Sequence, residues 1–413
     1  MAGTTPGTPR VLRAMNDRAA LDLLLAHGPL SRSRIGKLTG LSKPTASQLL
    51  ARLEAAGLVT VTGASQGRPG PSAQLYAVNP RAAHVAGLDV TSARIRAAVA
   101  DLTGHTVGTH ELPAAGRSRS GEEAPGPTGT SSTVDRVVEA LDGAVKAAGL
   151  VRSDLHRVVV GTPGAFDPST GRLRYAAHLP GWHSATLLDE LAAALPVPLE
   201  YDNDVNLAAV AEQQLGAARG HEDFVLLWDE EGVGAAVVLG GRLHRGWTGG
   251  AGEVGFLPVP GAPLVRQVAR TGGGGFRELV GAHALVRMAR ESGLRPPSGP
   301  DAEVAAALIA EAAGGGQPED GPYGALLHRL ATGLATGLAV ITAVLDPGLI
   351  VLSGGLPAAG DERLRALIQQ ELAELAVPEP RLLLGEVTTD PVLNGALRSA
   401  LATTRDEVFD TSR

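Results

Sequence analysis

The sequence predicts an α+β winged helix-turn-helix followed by a two-lobed α/β body, and three observations lead there. Two short helices with start and stop signals precede a β-hairpin between Leu30 and Tyr76, β-like and helical runs alternate from Ala83 onward, and positive charge is concentrated before residue 80.

The first helix opens at Ser31-Arg-Ser-Arg-Ile, where Ser31 can accept a hydrogen bond from an unpaired first-turn amide. Ile35 and Leu38 give helical spacing, and Gly40 suits the left-handed turn that ends the helix. The second begins almost at once, at Gly40-Leu-Ser-Lys-Pro-Thr. Ser42 caps it, Pro44 is tolerated where no intrahelical donor is needed, and Ala46, Leu49, Leu50 and Leu53 supply the buried stripe.

Thr45, Ser47, Gln48 and Arg52 then point outward, and with Lys43 they form the candidate DNA-reading set. Short donors and acceptors near a helix N-terminus are what a helix-turn-helix presents to base edges in the major groove. Gly57 stops the helix, and residues 58–62 and 73–78 read as two strands. The Gly67-Arg68-Pro69-Gly70 tip between them offers Arg68 to a phosphate backbone or a minor groove. The winged domain is placed at residues 10–80.

A small helical domain that binds protein would share the caps and the apolar stripe, but charge argues against it. Residues 1–80 hold nine Lys or Arg against three Asp or Glu, whereas the remainder holds 27 against 40, so a cationic segment precedes an acidic body. Double-stranded operator DNA is the expected partner.

At 413 residues the chain can build more than one core. It has no cysteine, which excludes disulfides and thiolate metal sites. No apolar run reaches the roughly 20 residues that cross a bilayer, and no basic-then-apolar export signal opens the chain, so a cytoplasmic protein without membrane attachment is expected.

In the body, residues 84–89, 95–101, 157–161, 224–227, 235–239 and 349–352 read as strands. Residues 134–148, 206–217, 326–345 and 362–375 read as helices, the third as core or interface with core favoured. Residues 113–133, rich in Gly, Ser, Pro and Thr, lack an apolar period and read as a flexible insertion. Two α/β halves enclosing a cleft account for the length, and the cleft is the natural ligand site.

Six segments in order carry a family resemblance: Gly87-Leu-Asp-Val, Gly161-Thr-Pro-Gly-Ala-Phe-Asp, Leu179-Pro-Gly-Trp, Asn203-Asp-Val-Asn-Leu-Ala-Ala, Gly249-Gly-Ala-Gly-Glu-Val-Gly and Leu352-Ser-Gly-Gly-Leu. Residues 83–413 thus resemble the ROK family of bacterial repressors, open reading frames and sugar kinases. The resemblance implies the sugar-kinase-like, actin/hexokinase-like ATPase fold behind the winged domain. It also implies that Asp204 holds the place of the base that deprotonates the sugar hydroxyl, while Asn203, Glu253 and Glu278 match positions that hydrogen-bond sugar hydroxyls. Asp204 and Asn203 also read as caps of the helix starting near Asn206, and capping and ligand binding can coexist.

The phosphate machinery departs from the family. Where its kinases have two glycines and a threonine after the strand aspartate, this chain has Thr91, Ser92 and Ala93 after Asp89, and a second glycine loop has become Glu230-Glu231-Gly232-Val233-Gly234. Like charges a few ångströms apart cost on the order of 1 kcal/mol in water and more in a cleft, so two carboxylates oppose a triphosphate. No catalytic residue set is therefore assigned, and Gly354-Gly355 read as turn glycines.

The family's zinc motif is likewise replaced, with Phe256, Ala269, Thr271 and Phe276 where a histidine and three cysteines stand. His178, His244 and His283 are too dispersed to substitute, so neither metal nor cofactor is expected. The resulting expectation is a DNA-binding regulator, a repressor of carbohydrate-related genes, with a non-catalytic body that senses a sugar or sugar phosphate. A homodimer or homotetramer would pair its winged helices about one DNA turn apart. Two alternatives differ in class: an active sugar kinase with a DNA-binding appendage, and a regulator that needs no ligand.

Overall fold

A computed structural model of the chain describes residues 9–64, 73–113, 132–167, 172–174, 182, 186–229, 232–265 and 274–411. The wing tip with Arg68, the Gly, Ser, Pro-rich stretch after Pro113, Glu230 and Glu231, and Ala269 and Thr271 lie outside these residues. The chain divides into two compact units, one formed by Met1–Val160, Asp189–Glu200 and Ala396–Arg413, the other by Gly161–Leu188 and Tyr201–Gly395.

The first unit starts with a helix the sequence reading did not anticipate, α1 (Pro9–His27), which leads through β1 (Leu30–Ser31) into α2 (Arg32–Thr39) and α3 (Lys43–Ala55). Both anticipated caps form. Ser31 Oγ accepts from the Arg34 amide and Ser42 Oγ from the Thr45 amide, each at 3.4 Å, while Gly40 takes φ +73° to turn the chain between the helices. Ile35 is fully buried but Leu38 is 39% exposed, so only one of the two helically spaced apolar residues of α2 enters the core. The antiparallel strands β2 (Val59–Ala64) and β3 (Gln74–Val78) complete a three-stranded sheet ordered β1-β3-β2.

The core of this winged domain joins Leu21 and Leu24 of α1 to Ile35, Leu49, Leu50, Leu53 and Val78. It also contains Phe409, 1% exposed, from the far end of the chain.

Beyond it, β4 (His84–Val90), β5 (Arg94–Asp101) and β6 (Thr106–Pro113) form an antiparallel meander in which His84 faces Asp101 and Arg94 faces Pro113. Helix α4 (Thr133–Ala147) starts at a capping box made by Ser132 and Asp135. The strand β7 (Leu155–Thr162), the short pair β8 (Ala165–Asp167) and β9 (Arg172–Arg174), which belongs to the second unit, helix α5 (Leu187–Ala194) and β10 (Leu199–Asn203) follow. The sheet order is β10-β7-β4-β5-β6.

The second unit carries α6 (Asp204–Leu215), β11 (Phe224–Asp229), β12 (Val233–Leu239) and β13 (Arg242–Leu243). Helices α7 (Arg277–Val280), α8 (Ala282–Glu291), α9 (Asp301–Ala313) and α10 (Pro322–Leu345) come next, then β14 (Leu349–Ser353), α11 (Gly355–Leu375) and β15 (Arg381–Leu384). Its sheet, ordered β13-β12-β11-β14-β15, is mixed: β11 pairs antiparallel with β12 and parallel with β14. Helix α10 is long and apolar enough to cross a bilayer by composition, yet Leu326, Leu330, Leu334 and Leu338 are fully buried in the unit's core, which is the role favoured for it.

Helix α12 (Pro391–Val408) closes the chain. Near its start Gly395 lies so close to α6 that a Cβ there would fall 1.8 Å from the Leu207 carbonyl oxygen. The last turn of α12 and the residues after it are tied into the winged domain: Arg18 bonds Asp406 at 2.7 Å and lies 5.5 Å from the Phe409 ring centroid, and Thr411 donates to the buried Asp17 at 3.1 Å.

Candidate functional site

Two candidate sites emerge, one in each unit. In the first, the initial turns of α3 leave Lys43, Thr45 and Gln48 exposed on one helix end, held by the Ser42 cap. The Thr45 and Ser42 hydroxyls are 2.8 Å apart. Ser47 is half-buried; its hydroxyl donates to the Lys43 carbonyl at 2.9 Å and accepts from Arg32 at 3.2 Å. Arg32, at the start of α2, thereby joins the surface around the first turns of α3, although sequence reading passed over it; its only signal was the Ser31-Arg-Ser-Arg run.

Arg52 behaves differently from its expected partners. Its guanidinium bonds the Asp17 carboxylate of α1 at 2.7 Å, and Asp17 is 3% exposed. A buried carboxylate with one cationic partner holds that partner in place, so Arg52 fastens α3 to α1.

In the second unit, Asn203 caps α6 with φ −66°, and its Oδ1 accepts from the Val205 amide at 2.9 Å and the Asn206 amide at 3.2 Å. The helix therefore begins at Asp204, two residues before the expected start. Asn203 Nδ2 donates to the Gly164 carbonyl at 3.1 Å. Asp204 Oδ1 accepts from the Val205 amide at 2.8 Å, which aims a carboxylate along the helix N-terminus. Asp202, missed in the sequence reading, is the buried support: its Oδ1 accepts from Asn206 Nδ2 and the Asn203 amide, both at 2.9 Å, and Oδ2 is paired with Arg245.

Packing joins this turn to the other two expected acceptors. Val205 lies against Gly234 at the start of β12, the Val233 carbonyl lies against Gly255, and Gly275 lies against Gly255 and Phe256. Glu253 is largely buried, and the lost hydration raises its carboxyl to about 7. Glu278 is committed elsewhere. Partial burial pushes it upward, but the Gly274 amide at 3.2 Å and Arg287 at 3.1 Å hold it below the usual carboxylate range. Of the four expected sugar contacts, Asn203 caps α6, Asp204 accepts from the Val205 amide, Glu253 is largely buried with a raised carboxyl, and Glu278 is ion-paired with Arg287.

The phosphate and metal positions have their own geometry. Thr91 Oγ1 accepts from the Ala93 amide at 3.3 Å and the Arg94 amide at 3.1 Å, so the turn after β4 consumes donors that a phosphate would need. Phe276 is fully buried in the apolar core and Phe256 lies under the Arg277 guanidinium at 4.6 Å. Neither ring carries a zinc donor, and the chain has no cysteine, so these residues do not fit the family's metal.

Two family patterns match the chain. The ROK family pattern matches residues 85–397, and the MarR family pattern matches residues 8–68. A glucokinase of Streptomyces coelicolor is 27% identical over 290 residues, covering 67% of this chain and 83% of that protein. A xylose repressor of Caldicellulosiruptor bescii is 24% identical over 253 residues, 61% of each. Among solved structures, a ROK hexokinase from Thermus thermophilus superposes with TM-score 0.62 at 27% identity, over 78% of this chain and 99% of its own. A ROK family transcriptional regulator described as a homolog of the E. coli MLC protein gives 0.69 at 19% identity, over 94% and 96%, a likeness of fold that includes the N-terminal part.

Proposed function

The chain belongs to the ROK family and carries a MarR-type winged helix, and from that premise we propose that it is a transcriptional repressor of carbohydrate-related genes whose body senses a sugar without phosphorylating it. The observation that carries this reading is a contrast in commitment. Lys43, Thr45 and Gln48 stand exposed on the capped end of α3, whereas the Ala93 and Arg94 amides after β4 are already taken by Thr91. One surface is ready for a duplex; the turn that would cradle phosphate is closed on itself.

Asp204 and Glu253 are the sugar contacts in this reading, with Asn203 positioning the first. A sugar that binds one conformation of the body better shifts the population toward it and so changes operator affinity. A dimer reading a two-fold operator is the working assembly. Genome-wide mapping of bound DNA, followed by operator titration with hexoses and pentoses, tests the reading; failure to bind any duplex at moderate salt ends it.

A second reading is favoured by the retained Asp204 and by the glucokinase similarity: a sugar kinase that also binds DNA. Sugar-dependent ADP release that disappears in Asp204→Ala would establish it in place of the first.

A further inference from the structure

Two arginines on one face of α12 converge on a turn that lacks a side chain. Gly104, between β5 and β6, holds φ +93°, and a Cβ placed on it would lie 2.9 Å from Arg398 Nη1 and 3.5 Å from Arg405 Nη2. The two nitrogens are therefore no more than about 6.5 Å apart, a gap that one oxyanion bridges with N–H···O bonds of about 2.8 Å.

Their commitments differ. Arg405 is already oriented, because its Nε and Nη2 donate to the Leu102 carbonyl at 3.1 and 2.9 Å. Arg398 makes no hydrogen bond or ion pair among the described residues, although it is half-buried. Burial holds both guanidinium groups below the ordinary arginine range; at Arg405 the charges of Arg398 and Arg18 add to that effect, while those of Asp22 and Asp101 oppose it. Neighbouring acids are occupied: Asp101 Oδ1 accepts from the Thr103 amide and hydroxyl and from the His105 amide, and Asp22 and Asp406 bond Arg18.

A half-buried cation with no partner, beside a like charge, is unfavourable when empty and relieved when an anion arrives. We propose that Arg398 and Arg405 form a binding site for phosphate or a phosphate monoester, closed on one side by the Thr103–Gly104 turn. It is independent of the sugar contacts around α6. A terminal phosphate presents three free oxygens to the two arginines, whereas a duplex phosphodiester presents two and brings bulky ester groups on both sides. Leu102 belongs to the same core as Leu49 and Leu53 of α3, so an anion here stabilises the unit that carries the reading helix.

The test uses the full-length protein at constant ionic strength in phosphate-free buffer. Thermal unfolding and calorimetric titration are run with inorganic phosphate, a hexose 6-phosphate and the unphosphorylated hexose, on wild type and Arg398→Gln. Phosphate or the 6-phosphate is expected to raise the wild-type Tm by several degrees, with affinity at least tenfold weaker in R398Q. Without anion, R398Q is expected to melt at or above wild type, since it loses one repulsion and no intramolecular bond.

The proposal is overturned by no phosphate-dependent shift in wild type, by an undiminished shift in R398Q, or by R398Q melting several degrees below wild type without anion, which marks an arginine that serves the fold. Equal shifts from the hexose and its 6-phosphate in both proteins overturn it too, because the sugar contacts then account for binding.

Discussion

Replacing Phe409 by alanine should damage the DNA-binding domain from the opposite end of the sequence. The ring is 1% exposed in a core it shares with Leu21, Ile35, Leu49 and Leu53, and Arg18 lies 5.5 Å from its centroid. Truncating a buried phenylalanine removes its transfer free energy and leaves a cavity, together about 3–5 kcal/mol. The cation–π contact adds about 0.5–1 kcal/mol. For a unit of this size roughly 4 kcal/mol lowers Tm by about 10 °C. Leucine at the same position keeps most of the volume and should cost under half as much. Urea unfolding followed by circular dichroism measures the loss, and operator binding in parallel shows whether α3 is still presented. An F409A protein within about 0.5 kcal/mol of wild type and with unchanged operator affinity would refute the reasoning, because the winged domain would then complete its core without the chain terminus.

Three further outcomes are expected. Gln48→Ala should relax base choice at particular operator positions, whereas Arg68→Ala should weaken all sequences alike and lower the salt slope by about one; equal behaviour of the two in a salt-titrated binding assay contradicts the groove assignment. Asp17→Asn weakens the tie to Arg52 and should cost about 1–3 kcal/mol in thermal unfolding, with operator affinity falling as α3 loosens, and unchanged stability would show that the pair contributes nothing. Glu253, raised to about 7 when folded against 4.5 ordinarily, favours the folded state while protonated. That stability is fully present below the ordinary value and is lost as pH rises through about 7. Above pH 7 Glu253→Gln should therefore be more stable than wild type by roughly 1–3 kcal/mol, converging with it near pH 4, and a pH-independent difference sinks the assignment.

What could be read from sequence was whatever short-range chemistry controls. Ser31, Gly40, Ser42 and Pro44 act on amides or dihedrals within about one helical turn, so α2 and α3 were legible with their boundaries, and the buried stripe of α3 follows from its period. The ordered family segments likewise marked the turn that opens α6. The start of α6 was misjudged by two residues because Asn and Asp in succession are both competent caps, and only the observed backbone selects Asn203.

The commitments of charged groups were decided by tertiary structure. Arg52 pairs with Asp17 of α1, Glu278 pairs with Arg287 and accepts from the Gly274 amide, and Phe409 enters the core of the winged domain, contacts that no sequence spacing reveals. A cap is satisfied by neighbours a few residues away, whereas an ion pair or a core contact depends on which distant segment the folded chain brings within bonding distance. Local hydrogen bonding therefore determined capped helices such as α2 and α3, and long-range closure determined how their polar side chains are paired.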